Sequence, residues 1–452
     1  MRAPPESEVP KAPRARPRRT ARHVTAILWG LVFVELAAWG LYWFRNGEPM
    51  PLEELTMARR HLAEGGRVEQ PLPEADPQDT HDDWVTHPYI GYVLDPEPDD
   101  RLNDDVVYVV GTSEQPPSRR EDRLIVGLFG GSVGFHLGFD FTEIFRNALA
   151  DEYPDREIVL VVAATPSWKQ PQMLFSLQWL ALRGYEYDVV VEVDGFNECV
   201  GATANHIYYG VNAAYPPNYR AFVASKAEGP DYMAAAGEID MIHRRRRERA
   251  GWLIGPLVYS PTANLVWSTW DQGQQHRLEM LRTRLVELVS PDVRRYGQRG
   301  PVDELGDRRG DRGPLYDELA RVWLESNLHM GRLARAMGAD LVVFLQPNQY
   351  HLDGQKPFSA WEREHARSTP RFGRWVRGCY PRLIDAAPAL EEADIGFEDL
   401  TPIFADEPAT VYRDACCHYN ERGNRRLAAA IAEALRRRGA GLDTSGEAMA
   451  TP

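Results

Sequence analysis

Residues 24–44 (VTAILWGLVFVELAAWGLYWF) constrain this chain more than any other stretch, because only Thr25 and Glu35 among these 21 residues are clearly polar. Crossing roughly 30 Å of hydrocarbon takes a helix of about 20 apolar residues, so the sequence predicts a transmembrane helix. Arg14, Arg16, Arg18, Arg19 and Arg22 crowd its N-terminal side, whereas Arg45 stands nearly alone after it. Positive charge collects on the cytoplasmic side of a span, which makes residues 1–23 a cytoplasmic basic tail and sends residues 45–452 outward. Trp39, Tyr42 and Trp43 suit an aromatic belt at the outer interface. A cleaved signal peptide is the alternative, and the length of the run and the lack of a small-residue cleavage site argue against it. Glu35 falls in mid-span, where a carboxyl group is costly; it is either held protonated between Val34 and Leu36 or in contact with another membrane protein. Residues 46–81, rich in Pro, Glu and Gly, read as a linker, and the folded domain is expected from about Asp82.

The formal charge of the chain is -14. The first 23 residues are five charges positive, so with Glu35 set aside the part from residue 45 onward stands at -18. A face that acidic cannot release counterions from phosphates, which excludes a nucleic-acid partner. Four cysteines in 452 residues are too few for a disulfide scaffold, so the core must come from apolar burial.

Residues 124–129 (LIVGLF) form a short unbroken apolar run ending in Gly130 and Gly131. That is how a parallel strand buried on both faces reads. Residues 158–164, 188–193 and 340–345 repeat the pattern, and helical stretches over 141–152 and from Pro171 to Gly184 separate the first three strands. Such alternation predicts a three-layer α/β/α sandwich with a parallel, flavodoxin-like sheet. Leu427, Ile431 and Leu435 at helical spacing predict a closing helix over 421–438 that Gly439 ends. Residues 205–335 interrupt the alternation and read as a mostly helical insertion, either a subdomain or a lid near the bilayer; its basic run at 244–247 reads as a solvated helix face, with an anion or lipid-headgroup contact as the alternative. Residues 441–452 read as a disordered tail.

Gly130-Gly131-Ser132-Val133-Gly134 follows the first strand at once, a turn tight enough to raise a serine hydroxyl above a sheet end, which makes Ser132 the candidate nucleophile. Asp414 and His418 share one loop just before the last helix, where His418 could take the serine proton and Asp414 fix its tautomer. Asn197, directly after the third strand in Asp194-Gly195-Phe196-Asn197-Glu198, could donate to an oxyanion. Each has a plainer reading: a loop serine, a histidine bonded locally and an Asn-bearing turn.

Taken together, in this order and at strand ends, the three blocks resemble the SGNH or GDSL hydrolases, a likeness covering roughly residues 120–200 and 335–438. The resemblance implies Ser132 as nucleophile and oxyanion donor, Asn197 as a second donor, His418 as base and Asp414 as its partner. It departs from the family pattern in four ways. GDS stands as Gly130-Gly131-Ser132, and G-x-N-D as Gly195-Phe196-Asn197-Glu198. The oxyanion glycine after the second strand is not evident, with Ser167 near its place, and Asp414 precedes His418 by four residues rather than three. The strings at 168–172 and 345–349 look like a membrane-anchored bacterial branch of the family. An α/β-hydrolase elbow is a rival, since GGSVG fits it literally, but there the acid lies far from the histidine in sequence.

The expected activity is thus a serine ester hydrolase or O-acyltransferase outside the membrane, acting on an ester-bearing glycan, lipid or small molecule without a cofactor. A non-catalytic module that binds polysaccharide or scaffolds an envelope complex is the alternative. No protein partner is assigned. If the loops meet at the site, Cys199 could pair with Cys416 or Cys417; a vicinal Cys416–Cys417 bond and free thiols are the other possibilities. No Cys or His pairs recur at ligand spacing, so no metal is expected.

Overall fold

A computed structural model describes residues 18–46, 49–63, 84–95, 101–103, 105–209, 212–217, 230–252, 255–289, 312–351 and 356–441, with the side chains of 18–28 outside that set. The basic tail before residue 18, most of the linker beyond residue 63 and the tail after 441 also lie outside it.

Helix α1 (Arg18–Asn46) carries the apolar run. Among the described residues no helix is long and apolar enough to cross a membrane; the first five residues of the run have side chains outside the described set. Trp29, Phe33, Leu36, Trp43 and Phe44 are exposed. Within the stretch read as a linker stands a helix, α2 (Leu52–Ala63), whose buried Arg59 donates to Asn264 at 2.5 Å. A hairpin of β1 (Trp84–His87) and β2 (Gly91–Leu94) then leads to the edge strand β3 (Tyr108–Val110).

The body alternates as the sequence predicts. β4 (Arg123–Gly130), α3 (Ser132–Phe139), α4 (Thr142–Glu152), β5 (Glu157–Ala164), α5 (Gln172–Leu182), β6 (Val189–Asp194) and α6 (Phe196–Ala204) follow in order. After the insertion helices α7 (Pro230–Ala250) and α8 (Pro261–Val289) come α9 (Gly313–Ala336), β7 (Asp340–Leu345), α10 (Pro370–Ala386), β8 (Gly396–Asp399) and α11 (Glu421–Arg438). The six-stranded sheet has the order β3-β5-β4-β6-β7-β8, parallel throughout except for β3. Its five parallel strands run 2-1-3-4-5, a doubly wound order whose ligand crevice opens between the first and third of them. Every residue of β4 and β6 is buried, because α3, α4 and α11 cover one face while α5, α6, α9 and α10 cover the other. Gly439 takes the left-handed conformation (φ 69°) that ends α11.

Four readings are corrected. α9 is not part of the insertion: it packs on β7, and its buried Trp323 donates to Asp194 at 2.6 Å, so it is the crossover helix that a β6 to β7 connection requires. Within the basic run Arg246 is not solvated but buried, forked onto Asp271 at 2.7 and 3.1 Å. Glu35 has a partner in its own chain, accepting from Ser260 Oγ at 2.7 Å and Thr262 N–H at 2.8 Å. It thereby caps the N-terminus of α8, where a carboxylate meets unpaired N–H groups and the positive end of the helix dipole. Finally, Cys199 is bonded to Cys379, with Cα atoms 5.6 Å apart, while Cys416 and Cys417 remain thiols whose sulfurs lie 3.2 Å apart. The reason is helical phase. Asn197 and Cys199 are two residues apart on α6, hence on opposite sides of it, and a helix that turns Asn197 to the site turns Cys199 into the core against α10.

Candidate active site

Three strand ends converge at the crevice. β4 ends at Gly130 and α3 starts at Ser132, so Ser132 is the first helical residue and its N–H lies in the turn that the helix ladder leaves unpaired. From the other side, Ser132 Oγ meets His418 Nε2 at 2.7 Å. His418 Nδ1 in turn meets Asp414 Oδ2 in a close hydrogen bond.

The four-residue spacing from Asp414 to His418 is accommodated by a backbone loop. Arg413 N–H donates to the His418 carbonyl at 3.0 Å, and Tyr412 pairs with Tyr419 just outside. Inside the loop Asp414 Oδ1 accepts from the N–H groups of Cys416, Cys417 and His418 at 2.9, 3.2 and 3.3 Å. One carboxylate oxygen shapes the turn and the other faces the imidazole. Burial opposes the charge on Asp414, but His418 and these N–H groups outweigh it and hold the carboxyl below its usual range. Burial likewise opposes a charged His418, and the negative groups Cys417 and Asp414 overcome it, raising the imidazole well above an ordinary histidine. Ser132 is 9 % exposed, while the side chains of His418 and Asp414 are 19 % and 25 % exposed, so the site opens to solvent at its His–Asp end.

The opposite wall comes from β5 and β6. Asn197, second in α6, donates through Nδ2 to the Trp168 carbonyl at 2.8 Å. Both atoms pack against Gly131, where any Cβ would overlap the Asn197 amide; this is why the residue before the serine must be glycine. Ser167 sits one residue before Trp168 in the turn after β5, with φ 67°, a left-handed conformation that glycine accepts more readily. Ser132, His418, Asp414 and Asn197 thus surround one crevice. Ser167 stands beside it, in the turn after β5.

Beneath this wall lies a buried polar network. Glu198 accepts from Gly195 N–H at 2.7 Å and Gln170 N–H at 3.0 Å, pinning the start of α6 to the loop that carries Trp168. Gln170 Nε2 donates to Glu192 at 2.8 Å, and Lys169 Nζ donates to the Gln170 carbonyl at 2.9 Å. Burial pushes Glu192 up to about 7 and Asp194 well above the carboxylate range, and it draws Lys169 down to about 7 against the pull of Glu198. The sequence hinted at this network only through charged residues inside the apolar run of β6 and in the loop before α5.

Two rim residues escaped the sequence reading. His136, four residues after Ser132 on α3, lies edge-on to His418 with ring centroids 4.9 Å apart. Arg413, adjacent to Asp414, donates through Nη2 to His136 Nε2 at 2.7 Å. The i, i+4 spacing from Ser132 was the available signal for His136. Cys416, Cys417 and His418 bring potential ligand atoms within 4.8 Å of one another, the one such group among the described residues. Both nitrogens of His418 are already engaged by Asp414 and Ser132, so the imidazole is not open to a metal.

The chain matches no model of a known protein family and no curated protein.

Proposed function

We propose that this chain is a serine ester hydrolase or O-acyltransferase of the SGNH type, held at a membrane by α1 with its α/β body outside. The observation that carries the reading is the hydrogen-bonded relay from Ser132 Oγ through both nitrogens of His418 to Asp414, facing an asparagine amide across a glycine. As His418 takes its proton, Ser132 Oγ bonds to the ester carbonyl carbon; the C–O bond to the alcohol then breaks, and His418 returns the proton to that alcohol. Water or a sugar hydroxyl attacks the acyl-serine by the same steps in reverse. Asp414 keeps the imidazole in the tautomer whose Nε2 faces serine and stabilises the imidazolium without itself being protonated.

Negative charge on the carbonyl oxygen would be met by the Ser132 N–H and by Asn197. An amide nitrogen carries two hydrogens; Trp168 takes one of those on Asn197, which orients the other. The Ser167 backbone N–H is a third candidate donor, held in a turn that here lacks glycine. Membrane attachment rests on the 21-residue apolar run, the arginines before it and the exposed Trp29, Phe33, Leu36, Trp43 and Phe44 of α1.

The test uses the full chain in mild detergent with a fluorophosphonate probe and short p-nitrophenyl esters. Labelling and turnover lost in both Ser132→Ala and His418→Ala establish an activated serine. Well-folded protein that neither labels nor turns over any ester overturns the catalytic reading in favour of a binding module. Release of the protein from membranes by alkaline carbonate would overturn the anchor.

A further inference from the structure

We propose that Arg413 recognises an anionic group on the substrate, so that the ester this site takes is carried on a molecule bearing a carboxylate or a phosphate. The inference rests on the hydrolase reading for its site and extends it to a substrate class.

Arg413 is exposed at the rim, and its main-chain N–H is bonded to the carbonyl of His418. Its Nη2 donates to His136 Nε2 at 2.7 Å, while His136 Nδ1 meets Asp140 Oδ2 at 2.6 Å. These two bonds fix one tautomer, with the proton on Nδ1 toward Asp140 and the lone pair on Nε2 toward the arginine. Burial, reinforced by the charge at His418, pushes His136 down to about 4, so the ring is neutral at ordinary pH. A guanidinium anchored by a neutral ring is oriented without being neutralised.

That anchoring differs from that of several other arginines of the body, which sit on carboxylates. Arg123 pairs with Glu114 and Glu157, Arg183 with Asp105, Arg382 with Asp317, and Arg426 with Asp406. Among the described residues no carboxylate lies within 4 Å of the Arg413 guanidinium. In an outer part with a net charge of -18, carboxylates to pair with are plentiful, yet among the described residues none is paired with this rim cation. It stands two imidazole rings from the Ser132 hydroxyl. The planar fork left facing solvent matches the paired oxygens of a carboxylate or phosphate.

The experiment compares three acetyl esters on the full-length protein: methyl glucoside as the neutral arm, methyl glucuronoside as the carboxylate arm and glucose phosphate as the phosphate arm. Wild type should favour an anionic arm, and whichever arm is favoured identifies the anion. Arg413→Ala should shrink the anionic-to-neutral ratio of kcat/KM by roughly 10- to 100-fold, mostly through KM, and Arg413→Lys should restore part of it. A structural role would lower all three arms by one factor and leave the ratio unchanged. That result, or equal use of all three by wild type, overturns the proposal. If no arm shows Ser132-dependent turnover, the hydrolase reading is decided separately by fluorophosphonate labelling of Ser132. Calorimetric titration with methyl glucuronoside and glucose phosphate then decides: loss of binding in Arg413→Ala upholds the anion site, and absent or unchanged binding overturns it.

Discussion

The two walls of the crevice are built by different physics. The Ser132–His418–Asp414 wall is local and half open, a six-residue loop closed by main-chain bonds and set against the start of α3. The Trp168–Asn197 wall is a surface laid over ionisable groups that are almost wholly buried, with Lys169, Glu192, Asp194 and Glu198 each at most 3 % exposed. The first wall can lose its chemistry without losing its shape. The second cannot lose its supports without losing the fold around it, since a charge stripped of its partner in a dry interior is among the costliest defects a protein can carry.

The largest expected effect separates the walls cleanly. Ser132→Ala should lower kcat by at least about 10⁴-fold while leaving the unfolding midpoint within a degree or two, measured by ester turnover and thermal melts on the same sample. Glu198→Ala should do the opposite. It strands Lys169 and two buried N–H groups and should cost about 3–5 kcal/mol in a urea titration; a loss below 1 kcal/mol would show that the network supports nothing. Asn197→Ala lies between, with kcat down about 10²–10³-fold and little change in stability if its amide meets the oxyanion.

Smaller effects sharpen the contrast through pH. His418 must be neutral to act as base, and its pKa is raised, so kcat/KM should climb with pH through a limb above 6.5. Cys417→Ser removes a neighbouring negative group and should move that limb downward; an unmoved limb would take Cys417 out of the electrostatics of the base. The last effect belongs to the buried wall. Glu192 is raised from 4.5 to about 7, so the folded state keeps a proton that the unfolded chain releases. The stability it contributes is present below about pH 4.5 and is lost as pH rises to about 7. Melting temperatures of wild type should therefore fall across that window more than those of Glu192→Gln.

What the sequence displayed follows the same division. β4, β5, β6 and β7 were legible because both faces of each are buried, so that apolar runs such as LIVGLF and DLVVFL stand out from their surroundings. β3 and β8 were not, being three and four residues long at sheet edges, with Glu398 and Asp399 making half of β8. Ser132, Asn197, Asp414 and His418 were legible because each follows a strand or precedes a helix with a recognisable start. The pairing of Cys199 was not, because it depends on the rotational phase of α6 and on where α10 lies across the core. The partner of Glu35 was hidden for a similar reason: 225 residues separate it from Ser260, and nothing in the apolar run points to a helix start that far along the chain.

The Cys199–Cys379 bond joins residues 180 apart, and the whole insertion between α6 and α9 falls inside the loop it closes. Ser132 precedes that loop, and Asp414 and His418 follow it. A protease cut anywhere in the insertion would divide the polypeptide into one fragment carrying Ser132 and another carrying Asp414 and His418. The two would still travel as one molecule until a reductant parted them.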